Sequence, residues 1–286
     1  MKFQYRSLLK TSLTVLVVSY LITGCSTRFV YNQLDWLAPW YLDDYVTIEH
    51  YQQDLLTSSL DSVLDWHRAT QLSRYGDFLK VISSDVQGSI SEEKVAKYFL
   101  QLDEFIETLF IEFANEFTPL IAQMNPRQQA ELIENLAIKN QKYYEKFVLI
   151  GEAESKASSK KRVEKFLDDW LDELSASQVQ MINQWSTQTH WLSPGFYESR
   201  QAWQTRLHSI FNAQNANKPE MIKSMFKNRR EFWSVDLRQK FRHNQQVTTV
   251  FIVNFFNSLD ANQKQSLLKK LEKYEADFRL LASQSN

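Results

Sequence analysis

The chain has 286 residues, 43% of them apolar and 14% aromatic, with a formal net charge of −1. That length and apolar content exclude a disordered chain, and the single Cys excludes an internal disulfide and the cysteine-stapled scaffolds that depend on one. Only 5 Gly and 5 Pro leave little turn-forming material, which favours long helices.

The first predicted element is a leader. Lys2, Arg6 and Lys10 make it positive, and an apolar run follows over residues 13–22. That run suits a secretory signal core and is too short for a membrane-spanning helix. It ends in Leu21-Ile22-Thr23-Gly24-Cys25, which resembles a lipobox. Residues 1–24 are therefore expected to be a lipoprotein signal peptide, cut between Gly24 and Cys25, with Cys25 the lipid attachment site. The thiol supports this reading because a thioether to lipid needs a Cys at that place, and the chain has its only Cys there. Ser26 in place of Asp suggests sorting to the outer membrane, by resemblance to the rule followed by Gram-negative lipoproteins. The expected anchor is a set of fatty-acyl (palmitate) chains, since one chain alone holds a protein only marginally. Residues 25–42 read as the lipidated N-terminus and an aromatic-rich tether.

Helices fill the rest. A helix is expected over 43–69 and a shorter one over 75–86. From Ser91 onward, Val95, Tyr98, Phe99, Leu102, Phe105, Ile106, Leu109, Phe110, Phe113 and Phe117 recur at steps of three and four, so this stripe is expected to be core. Ser91, Glu92 and Glu93 suit its start. Further helices are expected over 127–150, 162–171, 176–187, 196–211, 219–232, 235–257 and 261–281. Residues 247–256 are compatible with a strand, but helical spacing serves them as well. The small, polar stretch 151–161 (GEAESKASSKK) is the best candidate for a boundary. The predicted fold is all-α, an antiparallel multi-helix bundle behind the signal peptide.

Charge divides near the same place. Residues 26–155 hold 21 acidic and 10 basic side chains, and residues 156–286 hold 13 and 20. This defines an acidic helical half, 43–155, and a basic one, 156–286, read as parts of one fold. Either the halves attract each other, or the basic half faces an anionic partner.

Three helix starts share a pattern: an apolar residue, a capping residue, two variable residues and Gln. They are Asn125 with Gln128 after Met124, Ser175 with Gln178 after Leu174, and Asp260 with Gln263 after Leu259. Each reads as a capping box, in which the cap accepts from the amide three residues on and the Gln reaches back. The Gln is expected to be the weaker half. The pattern resembles the LTxxQ motif of small helical periplasmic proteins, with Thr replaced. That resemblance implies an ATP-independent chaperone or stress regulator. A second resemblance covers the mature chain. The stretch from Cys25 to Tyr45 (CSTRFVYNQLDWLAPWYLDDY), with Trp66-His67-Arg68, is similar to a family of uncharacterised proteobacterial lipoproteins. It implies an outer-membrane lipoprotein and supplies no catalytic residues.

Catalytic patterns are missing: there is no phosphate-binding Gly loop, no G-x-S-x-G and no H-E-x-x-H. The five His residues sit too far apart in sequence for one helix to present two to a metal. Asp65, Trp66, His67 and Arg68 form one compact polar cluster, either an anion site or an interior network. The expectation is a non-enzymatic protein without cofactor or metal, held on the outer membrane through Cys25 and facing the periplasm. Its partners would be envelope polypeptides or, alternatively, anionic lipid or glycan, and not nucleic acid.

Overall fold

The computed structural model describes residues 26–214 and 217–284, and the described residues are helical with no strand. Residues 1–24, expected to be a signal peptide, and Cys25 lie outside the described residues. All-α is therefore the fold class, as the helical periodicity and the scarcity of Gly and Pro predict.

Two short helices, α1 (Ser26–Tyr31) and α2 (Leu34–Leu42), occupy what reads from sequence as a tether. An irregular stretch and a 3-10 turn (His50–Gln52) follow, so the helix expected from residue 43 starts later, as α3 (Gln53–Thr70). The delay has a cause: Val46 and Ile48 turn inward as core residues from an irregular stretch that ends in the extended Glu49 cap. Next come α4 (Leu72–Gln87), α5 (Glu92–Ala122) and α6 (Pro126–Phe147). Ser91 caps α5 by accepting from the Lys94 amide.

Helix α7 (Gly151–Leu171) contains the whole polar stretch proposed above as a boundary. The break comes instead just before it, at Gly151, whose φ of 79° only Gly adopts without strain. Glu152 and Lys156, one turn apart, form an ion pair on the helix surface, so low apolarity here reflects exposure and not disorder. The chain continues through α8 (Ala176–Gln188), α9 (Ser193–Asn212), α10 (Lys218–Lys227), a 3-10 turn (Arg229–Phe232), α11 (Val235–Asn257) and α12 (Ala261–Ser283). Residues 247–256 belong to α11.

Helix α5, 31 residues long, is the spine. Its N-terminal Val95 enters one core with Leu167, Leu171, Ile182, Phe255 and Leu267 from α7, α8, α11 and α12. Its C-terminal Phe117 and Leu120 enter a second core with Val46, Ile48, Leu56 and Leu60. A third cluster, Leu207, Ile210, Phe211, Ile222 and Met225, joins α9 to α10 beside Leu132 and Leu136 of α6. The first core mixes residues from both charge halves, and ion pairs cross between them. Arg229 meets Glu107, Arg230 meets Asp103, Arg279 meets Asp77 and Arg28 meets Asp277.

Candidate functional site

The three cap motifs fold as the spacing requires. Asn125, Ser175 and Asp260 each accept from the amide of Gln128, Gln178 and Gln263, and each Gln side chain accepts from the amide of its cap residue. A fourth box, Glu49 with Gln52, escapes the sequence reading because Glu is not a favoured cap. A wider frame exposes it. An apolar residue stands four positions before and four after every Gln: Ile48 and Leu56, Met124 and Leu132, Leu174 and Ile182, Leu259 and Leu267.

The Gln side chains do more than cap. All four are buried, and they join in pairs. Gln178 Nε2 donates to Gln263 Oε1 at 2.8 Å, and Gln263 Nε2 returns a bond to Gln178 Oε1 at 2.9 Å. Gln52 and Gln128 exchange bonds likewise, at 2.6 and 3.3 Å. Spare amide protons reach the carbonyls of Glu173 and Thr47. Two loops that each start a helix are thus clasped together, once in each of the two larger cores. In so dry a place every amide proton needs a partner, and here each Gln has several. The expected weaker half of the box is therefore the better-connected half.

The polar cluster on α3 becomes a joint between the two ends of the chain. His67 Nδ1 lies 2.9 Å from the Tyr31 hydroxyl and Nε2 lies 3.2 Å from that of Tyr75. Burial, with a smaller push from Arg68, lowers the His67 pKa to about 4, so the ring is neutral near pH 7. Burial also raises Tyr31, to about 12. Arg68, buried itself, donates to the Leu281 carbonyl in the last turn of α12 and lies over the Tyr31 ring. Beside it Arg28 Nε meets the buried Asp277 at 2.9 Å, and Asn32 Nδ2 donates to Gln284. An open cavity of about 490 Å³ lies between Tyr31, Asn32 and Asp35 on one side and Asp61, Asp65 and Arg68 on the other. Trp66 lies against the His67 ring; His67 and Arg68 tie α3 to α1 and α12, while exposed Asp65 lines the open cavity with Arg68.

The Phe-rich stripe of α5 departs from expectation. Val95, Phe105 and Phe117 are core, but Leu102, Ile106, Leu109 and Phe113 are between 36% and 46% exposed. These four recur at steps of four, three and four, so they line one face. The two cores take the ends of α5, and α10 with the 3-10 turn after it lies along the middle, Phe226 against Phe113 and Arg229 over Phe110, yet these four side chains stay partly exposed. Amphipathic spacing marks a face as apolar, but it cannot say whether the fold supplies a partner for it.

Among the described residues no group of three or more His, Cys, Asp or Glu is placed to hold a metal ion, and no helix is long and apolar enough to cross a membrane. Folding does bring His190 and His243 together, with ring centroids 4.4 Å apart. A separation of over fifty residues hid that pair.

A family of unknown function, DUF6279, matches residues 44–238, and the chain belongs to that family. The match includes the boxes at Glu49, Asn125 and Ser175; α1, α2 and α12 lie beyond it. No curated protein and no solved structure matches the chain.

Proposed function

We propose that this DUF6279 chain is a lipid-anchored, non-enzymatic protein of the bacterial envelope, which faces the periplasm from the outer membrane and holds other polypeptides against its helical body. The leader, the lipobox ending in Cys25, and Ser26 support the anchor and its location. The observation that carries the binding role is the open stripe of Leu102, Ile106, Leu109 and Phe113. Soluble monomers rarely leave a contiguous apolar row uncovered unless something binds there. Covering what is exposed of the four side chains would contribute roughly 3–4 kcal/mol. Losses of translational, rotational and side-chain freedom offset much of that gain, which suits transient holding rather than a permanent complex. The buried Gln clasps act as architecture in this reading, and clients touch the stripe.

The test uses light scattering of an unrelated denatured protein, without ATP. Wild type should slow its aggregation, and the double variant Ile106→Ser, Leu109→Ser should lose most of that effect while staying helical. Equal protection by both proteins, or none from wild type at a several-fold excess, sinks the binding role. The anchor is checked in cells: a fatty-acid analogue should label wild type and not Cys25→Ala.

A further inference from the structure

We infer that α2 is an interfacial helix, which lays its aromatic face into the headgroup region of the bilayer beside the lipid anchor. This rests on the lipid-anchor reading above. The sequence of α2 is LDWLAPWYL, with Asp35 its one charge. Ala38 and Leu42, one turn apart, pack against the second core. Trp36 with Trp40, and Leu37 with Tyr41, form two neighbouring rows on the other side of the helix. There Trp36 is 56% and Tyr41 58% exposed, and on α1 Phe29 is 64% exposed. A helix apolar on both faces belongs either inside a protein or at a membrane, and α2 has a core on one side only. Nine residues are too few to span a bilayer. Trp and Tyr are the side chains favoured at the boundary between hydrocarbon and headgroups, since each joins an apolar ring to a polar edge.

Position selects lipid over other occupants. Helix α1 is fixed to the body by Arg28 on Asp277, Tyr31 on His67 and Asn32 on Gln284, so the residues after Cys25 have little slack. From Ser26 to Trp36 the chain is helical except around the turn at Asn32 and Gln33, so the two positions lie at most about 21 Å apart. Acyl chains on Cys25 therefore bring this neutral aromatic face to the membrane surface. The rings themselves carry no charge, with Asp35 and Asp43 at their margins and Lys139 over Tyr41, so attraction to lipid rests on the rings rather than on anionic headgroups and should vary little with ionic strength.

The experiment takes full-length protein reconstituted into vesicles of phosphatidylethanolamine and phosphatidylglycerol, with and without bromine on the acyl chains. Mass spectrometry of the N-terminal peptide first establishes whether Cys25 carries lipid. Brominated lipid should quench part of the emission of the 8 Trp residues. Trp36→Phe should remove about half of that quenching and Trp36→Phe, Trp40→Phe nearly all of it, the same at low and high salt. These replacements keep an aromatic ring, and circular dichroism verifies the helix content. Lipid on Cys25 with no quenching, or quenching that survives in the double variant, overturns the interfacial helix and leaves the anchor standing. So does a crosslinked dimer that is lost with Trp36, which would make a second copy the occupant. A Cys25 without lipid overturns the anchor and this inference together.

Discussion

At the scale of single residues, the Gln in each cap motif carries more than its box. Ser175→Ala removes one capping bond and should cost about 1 kcal/mol. Gln178→Ala removes the return bond to Ser175 and leaves the buried Gln263 amide without its reciprocal partner. It should cost about 2–4 kcal/mol, since buried groups left unpaired lose their full desolvation energy. Urea unfolding measures both. Gln178→Ala and Gln263→Ala combined should cost less than the two added, because each alone already breaks the clasp. Additive costs would mean that the pair is not coupled. His67 supplies a second residue-scale prediction. Its folded pKa, about 4, lies below the unfolded value near 6.5, so as pH falls the unfolded chain takes up the proton first. Its effect is absent above about pH 7, grows as pH drops from about 6.5 to 4, and then levels off. Over that window the loss should be on the order of 2–3 kcal/mol. The stability gap between wild type and His67→Gln, measured by urea midpoints, should narrow from pH 7 to pH 4. A constant gap would mean that His67 does not titrate in this way.

At the scale of elements, sequence periodicity locates most of the helices, misses α1 and α2, and misjudges two stretches. Residues 151–161 look like a linker because they are small and polar, yet they form the first half of α7. Composition reports exposure there; Ala, Glu, Lys and Ser all sustain a helix when a neighbour buries the few residues that face inward, as Ser155 is buried here. Ala157, exposed in the middle of that stretch, gives the test. Ala157→Gly should cost about 1 kcal/mol if the segment is helical and nothing if it is a linker. Thermal unfolding distinguishes these outcomes. The opposite error falls at 43–49, where strong apolar residues suggest helix. Val46 and Ile48 enter the second core from an irregular stretch, and the Glu49 box starts the turn into α3 only afterwards. Favoured cap residues mark Asn125, Ser175 and Asp260 in the sequence. The Glu49 box is visible only in the frame of apolar residues around Gln52.

At the scale of the whole molecule, the two charge halves lock into one body. Arg229 and Arg230 face the acidic middle of α5, Arg28 joins α1 to α12 through Asp277, and Arg279 joins α12 to α4 through Asp77. Three side chains of the basic half, Arg229, Arg230 and Arg279, are engaged internally in this way. Local pattern alone determined the helical class, the places where most helices begin, the signature around Cys25 and the lack of recognisable catalytic sets, because these depend on residues near one another in the chain. Only the tertiary structure decided which apolar faces find a partner. Burial of a face depends on elements brought in from far along the chain, and no periodicity encodes their arrival. Hence Phe117 is core while Phe113, one turn away and stacked on it, keeps 36% of its surface exposed. For the same reason Gln178 and Gln263, 85 residues apart, meet in the interior. The joint of α1 with α12 likewise exists only because folding places residue 28 beside residue 277.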